Sequence, residues 1–346
     1  MKIGIIGTGR IAKRFVKEAA FVSDADISAV YNPHEGSAKR FTDELWGDNH
    51  PTAFMDLEEF LSSVEAVYIA SVHETHYEYA KKALEQGKHV LCEKPMSLKK
   101  AEVEELYSIA DAKGLVLMEG LKTAYCPGFK KLLEAAKSGV IGEIKYVDAC
   151  FTKLENPAYR ELTDKKYGGS FTELGSYVML PVFSLLGTDG MEVNFHSIDD
   201  DATGLDFFSK VNISYENKNL SDDTVNENDA DRLNLSAKTD KSSVFALASG
   251  TVGLGVKSEG RLLVSGTQGY IVVKAPWWKT THFEAHFEDA SKVMTYDEPF
   301  EGDGLRYELE YFLHKANGKT DDRFDEQIKS ISCAMAGCME KFLDRR

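Results

Sequence analysis

The sequence is poor in the features that mark several protein classes. No apolar run approaches the roughly 20 residues that span a bilayer, which argues against a membrane partner. No cluster of five or more basic residues occurs, and 41 Lys and Arg stand against 56 Asp and Glu, for a formal charge of −15. A phosphate backbone needs the opposite sign, so nucleic acid is not an expected partner. The five cysteines, Cys92, Cys126, Cys150, Cys333 and Cys338, form no C-x-x-C pair. They read as reduced thiols in a cytoplasmic protein, neither a disulfide frame nor a zinc site. The His and acidic residues lack ligand spacing, and no metal is expected. A strand that begins at Lys2 leaves no room for a signal peptide.

What is present begins at once. Ile3-Gly4-Ile5-Ile6 runs into Gly7-Thr8-Gly9-Arg10-Ile11-Ala12. A strand ending in a tight glycine turn brings backbone N–H groups and a helix N-terminus against a pyrophosphate, provided no side chain blocks the approach. Gly7 and Gly9 meet that requirement, and Ala12 allows close helix packing. The same strand-turn-helix context is what the dinucleotide fingerprint demands.

At 346 residues the chain is long enough for two domains. Up to about Gly120, apolar strands at 2–6, 26–31, 66–71, 88–91 and 115–119 alternate with helices beginning near Arg10, Glu35, Asp56, Glu74 and Leu98. Asp56 with Glu59 forms a capping box, and Ser97 is placed to cap the next helix. This alternation predicts a parallel sheet covered on both faces, a Rossmann-type domain over 1–121.

Beyond a helix near Pro127 to Ser138, strand-like segments follow at 143–152, 191–198, 207–216, 243–255, 261–266 and 269–274. They predict an α+β domain over 122–346 with a largely antiparallel sheet. Two amphipathic helices close the chain, one carrying Leu305, Leu309, Phe312 and Leu313, the other Ile328, Ile331, Met335, Met339 and Phe342. The polar stretch 216–241 reads as a long exposed connection.

The glycine fingerprint, then Ser71-Val72-His73-Glu74-Thr75-His76, then Ala83 to Val90, then Glu93-Lys94-Pro95, resemble the Gfo/Idh/MocA oxidoreductases. Met118-Glu119-Gly120, Ser138 to Glu143 and Gly168-Gly169-Ser170-Phe171-Thr172-Glu173-Leu174-Gly175-Ser176-Tyr177 resemble them too. Gly266 to Gly269 and Pro276-Trp277-Trp278 do so more loosely. The resemblance implies a Rossmann domain followed by an open-faced α/β domain whose sheet forms the oligomer interface, as a homo-dimer or homo-tetramer. It also implies substrates that are sugars, cyclitols, sugar nucleotides or related diols.

Oxidising a secondary alcohol requires a hydride acceptor, a group to take the hydroxyl proton, and stabilisation of the developing oxyanion. NAD or NADP supplies the first. Lys94, at the end of a predicted parallel strand, sits where α/β sheets bind ligands, and its ammonium can hydrogen-bond the reacting oxygen. A cis bond to Pro95, which the resemblance favours, would fix its direction.

Tyr177 falls where the resemblance places an acid/base tyrosine or histidine, and on a helix Glu173 shares its face. The family more often has Asp at that acid; the extra methylene of Glu173 moves the carboxylate by roughly 1 Å, enough to affect rate. Lys122, Tyr125 and Arg160 are candidate substrate contacts, although solvated loop charge is the default for Arg160.

The expected cofactor residues are Gly7, Thr8, Gly9, Arg10, Ile11, Asn32, His34, Ser71, His76, Glu93 and Lys94. His76 reads as a structural or cofactor-edge residue. The second strand ends in Tyr31-Asn32-Pro33-His34, with neither the carboxylate that selects NAD nor an adjacent arginine for NADP, so the choice stays open. Two further readings stand beside the dehydrogenase: an NAD-dependent glycosidase working through transient oxidation, and a non-enzymatic dinucleotide-binding regulator.

Overall fold

The computed structural model describes residues 1–48, 51–216, 244–319 and 321–345. In the first half, β1 (Lys2–Ile6), α1 (Arg10–Ala19), β2 (Asp26–Tyr31), α2 (Ser37–Trp46), β3 (Thr52–Phe54), α3 (Leu57–Ser62), β4 (Ala66–Ile69), α4 (His73–Glu85), β5 (His89–Glu93), α5 (Lys100–Lys113) and β6 (Leu117–Gly120) follow in turn. The strands form one parallel sheet in the order β3-β2-β1-β4-β5-β6. Ile5, Val67, Tyr68, Ile69 and Val90 are fully buried, as a sheet covered on both faces requires. The strand order reverses between β1 and β4, which opens a crevice at their carboxyl ends.

The five expected strands all form. The short β3 was not anticipated, since three residues carry no readable period. Asp56 accepts a hydrogen bond from the Glu59 N–H at 2.9 Å and starts α3 as expected. Ser97 does not cap α5. Lys99 occupies the cap position, and the Ser97 hydroxyl accepts from its N–H at 3.1 Å, one step before the helix.

The second half contains α6 (Lys122–Tyr125), α7 (Pro127–Lys137), β7 (Ile144–Thr152), α8 (Arg160–Thr163), α9 (Ser170–Leu186), β8 (Met191–Asp199), β9 (Asp206–Glu216), β10 (Val244–Gly253), β11 (Leu262–Gly266), β12 (Gly269–Val273), β13 (His282–Phe287), β14 (Val293–Asp297), α10 (Leu305–Ala316) and α11 (Asp322–Leu343). Its eight strands run β14-β13-β12-β11-β7-β10-β9-β8, antiparallel except where β7 meets β10. The sheet is therefore mixed and mostly antiparallel. β13 and β14 extend it beyond the expected edge, joined by stacking of Phe283 on Tyr296 at 4.5 Å. The stretch expected as a long connection, 216–241, lies outside the described residues apart from Glu216.

Helix α9 covers one face of this sheet with Val178, Val182 and Phe183. On the opposite face Leu247 and Tyr270 are 51% and 41% exposed. No helix among the described residues is long and apolar enough to cross a membrane.

The last two helices return to the first half. Arg306, at the start of α10, meets Glu18 of α1 at 2.9 Å, and Asp303 just before it meets Arg14 at 2.9 Å. In α11, Glu340 accepts the Lys100 N–H at the start of α5 at 3.1 Å, and Lys329 meets Asp111 at 2.7 Å.

Glu308 of α10 is fully buried, and neither carboxyl oxygen has a hydrogen-bond partner among the described residues. Burial and the nearby Glu93 push its pKa well above the carboxylate range, with Lys122 opposing. The folded protein thus keeps a proton that the unfolded chain releases above about pH 4.3, so this group costs stability as pH rises beyond that value. Glu308→Gln keeps the shape without the titration. Thermal unfolding should find the variant gaining on the parent as pH rises above about 4. A difference independent of pH would show that Glu308 is already ionised in the fold.

Candidate active site

The turn after β1 is built for close approach. Gly7 has φ +104°, and a Cβ there would lie 2.5 Å from the Ala70 carbonyl oxygen, so no other residue fits. At Gly9 the situation is reversed: beyond its chain neighbours, an added Cβ would meet no atom of the described residues within 4 Å. Gly9 is the N-cap of α1 and supplies no side-chain cap, leaving first-turn N–H groups aimed outward. An open cradle at a positive helix end suits a pyrophosphate. These residues fit NAD(P) on geometry alone.

Gly9 lies at one end of a cavity of about 540 Å³ between the two sheets. Of the residues singled out from the sequence, Gly9, Arg10, Ile11, Ser71, His76, Glu93, Lys94, Lys122, Arg160, Glu173 and Tyr177 line it. Thr8, Asn32 and His34 lie outside that lining, although Asn32 joins their turns. Its amide donates to the Thr8 hydroxyl at 2.9 Å, and its carbonyl accepts from the His34 N–H at 2.9 Å.

Tyr125 corrects an expectation. It is 3% exposed, packed against Tyr311 and Phe324 with ring centroids 5.1 and 5.7 Å away, because the short α6 turns it into the core. Lys122 reaches the cavity wall, but its ammonium donates to the Asp303 carbonyl at 2.8 Å. Arg160 is held by Glu74 at 2.5 Å and Asp164 at 2.6 Å.

At the centre, the Lys94–Pro95 bond is cis. The Lys94 ammonium donates to the Glu173 main-chain carbonyl at 3.0 Å, lies 3.7 Å from its Oε2, and stands 5.9 Å from the centre of the Tyr177 ring. Burial alone would lower the Lys94 pKa, but Glu173, Tyr177, Glu93 and Glu119 together outweigh it and hold the pKa above the ordinary lysine value. Lys94 is therefore a fixed cation and donor.

Tyr177 stands edge-on to Phe151 with centroids 4.8 Å apart. Burial raises its pKa, with the Lys94 charge opposing. Burial likewise raises the Glu173 carboxyl, against Lys94. Glu93 accepts from the Tyr68 hydroxyl at 2.6 Å beneath the site. His76 is buried, with Nδ1 2.8 Å from the Pro95 carbonyl, and so ties the turn after β4 to the turn after β5.

Sequence reasoning passed over His73. This residue begins α4, lines the cavity, and brings Nε2 to 3.5 Å from Glu173 Oε1. The signal available was its place three residues before His76, immediately after a buried strand. Phe151 and Arg14 are further lining residues that no motif marked.

The profile of an oxidoreductase family with an NAD-binding Rossmann fold, Gfo/Idh/MocA, matches residues 1–121. Over 227 residues the chain is 34% identical to a scyllo-inositol 2-dehydrogenase (NADP(+)) of Bacillus subtilis, covering 62% of this chain and 67% of that protein. The chain belongs to the Gfo/Idh/MocA family. It is an NAD(P)-dependent oxidoreductase, as the glycine turn and the lysine at the end of β5 led us to expect.

A dTDP-3,4-didehydro-2,6-dideoxy-alpha-D-glucose 3-reductase of Actinomadura kijaniata is 30% identical over 198 residues, which span 55% of this chain and 57% of that enzyme. The matched part of the chain thus spans about two thirds of the first relative's length and little more than half of the second's. Among solved structures, a 3-ketoreductase from Actinomadura kijaniata in complex with NADP and TDP-benzene superposes with a TM-score of 0.75 at 20% identity, covering 96% of this chain and 94% of that one. A UDP-N-acetylglucosamine 3-dehydrogenase from Acidithiobacillus ferrooxidans gives 0.72 at 19% identity, covering 99% of each chain. At that identity the likeness establishes the fold.

Proposed function

We propose that this chain moves a hydride between a nicotinamide and the CH–OH carbon of a sugar, cyclitol, sugar nucleotide or related diol. The observation that carries the reading is the meeting of Lys94, Glu173 and Tyr177 in the same cavity as the open glycine cradle. Nicotinamide, when bound, supplies the hydride acceptor or donor. Lys94 hydrogen-bonds the reacting oxygen and balances its charge as the C–H bond breaks. In reduction Tyr177, a phenol, gives its proton to the reacting oxygen; oxidation is the reverse, in which its phenolate form, favoured by the nearby Lys94 charge, accepts the hydroxyl proton. Glu173 holds a neighbouring hydroxyl and keeps Lys94 in place.

Residues 1–121 hold the dinucleotide and 122–346 supply the substrate wall. The sheet face bearing Leu247 and Tyr270 is the surface we assign to self-association as a dimer or tetramer, since it leaves these two large side chains in water on an otherwise mixed polar surface.

Titration with NADH and NADPH, followed by nicotinamide fluorescence across a panel of cyclitols, sugars and sugar nucleotides, tests this reading. With Asn32 where NAD-selective sites carry an acid, nothing there repels a 2′-phosphate. NADPH should bind at least as tightly as NADH, and one substrate class should give a change in absorbance at the nicotinamide band. Failure of both nucleotides to bind would sink the assignment.

A further inference from the structure

We infer that His73 is a positioning residue for the reaction, holding the Glu173 carboxylate so that the Lys94 ammonium stays free for the reacting oxygen. The inference rests on the hydride-transfer reading above and goes beyond it, because His73 carries no role there.

Three observations support it. His73 and Glu173 come from opposite sides of the cleft, the first from the start of α4 and the second from the first turn of α9. They meet inside the cavity, His73 Nε2 lying 3.5 Å from Glu173 Oε1 while Lys94 Nζ stands 3.7 Å from Oε2. Both side chains are mostly enclosed, at 17% and 19% exposure, so water does not easily replace either partner.

The charges around His73 define its working form. Lys94 faces it from the end of β5, His76 from its own helix at 5.6 Å between ring centroids, Arg160 from α8 and Glu173 from α9. Burial first, then Lys94, His76 and Arg160, hold the imidazole pKa well below its ordinary value. The adjacent Glu74 is occupied by Arg160. His73 is therefore neutral at physiological pH and has one N–H to give. Directed at Oε1, that N–H draws half of the carboxylate away from Lys94.

With the imidazole removed, Oε1 faces the cavity alone. The carboxylate is then free to turn and engage Lys94 with both oxygens. A fully paired ammonium is a weaker donor to a new oxyanion, because substrate must compete with an enclosed charge. Protonation of His73 in acid perturbs the same balance: the imidazolium attracts Glu173 and repels Lys94.

His73→Ala and His73→Gln separate the possibilities, with dinucleotide fluorescence and thermal unfolding confirming that each variant is folded. The glutamine amide keeps an N–H donor and has no titration. His73→Ala should lower kcat on the order of tenfold or more, with NAD(P)H affinity within about twofold of the parent. His73→Gln should recover kcat to within about threefold, because the amide restores a donor to the carboxylate. The inference is overturned if His73→Ala keeps the parent kcat or if His73→Gln is as slow as His73→Ala. Should the parent bind NAD(P)H yet oxidise or reduce nothing in the panel, the hydride-transfer reading falls and takes this inference with it; a turning-over parent with an unaffected His73→Ala removes the inference alone.

Discussion

Lys94→Ala should lower kcat by about a thousandfold, the loss seen when a preorganised donor to a developing oxyanion is removed. Lys94 is held above the ordinary lysine pKa by the acids around it, so the parent presents a full positive charge at every working pH. Alanine leaves the Glu173 carbonyl without its 3.0 Å partner and the cavity without its central cation. Nucleotide affinity should hardly move, because the glycine cradle and the start of α1 lie on another strand. Single-turnover rates together with NAD(P)H titration measure both quantities. Turnover within a few-fold of the parent would remove Lys94 from the chemistry, and loss of nucleotide binding would make it a cofactor anchor.

The second large effect is at Gly9. Gly9→Val adds a branched side chain where a Cβ meets no atom of the described residues within 4 Å beyond its chain neighbours, so the apo fold should tolerate it. The same atoms fill the space reserved for the pyrophosphate. Losing two charge-assisted hydrogen bonds at about 1.5 kcal/mol each weakens binding on the order of a hundredfold. The variant should keep the parent melting temperature without nucleotide and lose the upward shift that NAD(P)H gives the parent. An unchanged shift would mean that the dinucleotide does not cross α1 at this glycine.

Much of this site could be read before any coordinates, for physical reasons that differ by residue. Gly7 and Gly9 stand out because a buried strand, a sharp turn and an amphipathic helix leave distinct periods in the sequence. Glu173 and Tyr177 line one cavity as i,i+4 spacing requires, once that segment is a helix. Periodicity could not supply the helix: α9 is buried nearly all round, with Pro181 inside it, and so has no polar stripe to reveal its turn. The edge strand β14 escaped notice because its mostly exposed residues show little alternation, whereas β13 was missed although His282 to Phe287 alternate polar and apolar. The choice between His73 and His76 depends on where α4 begins. Val72 caps it, so His76 turns under the strand ends while His73 meets α9. Tyr125 was misplaced for a related reason: a single turn of helix after β6 decides which way it faces, and four residues carry no period.

The returning helices alter what the first 121 residues are. With Arg306 gripping Glu18 and Glu340 closing the start of α5, the final forty or so residues complete the outer layer of the nucleotide-binding half. That half is no detachable cartridge. Anyone grafting it onto another catalytic partner must carry α10 and α11 along, or rebuild two helix surfaces that evolved to be covered.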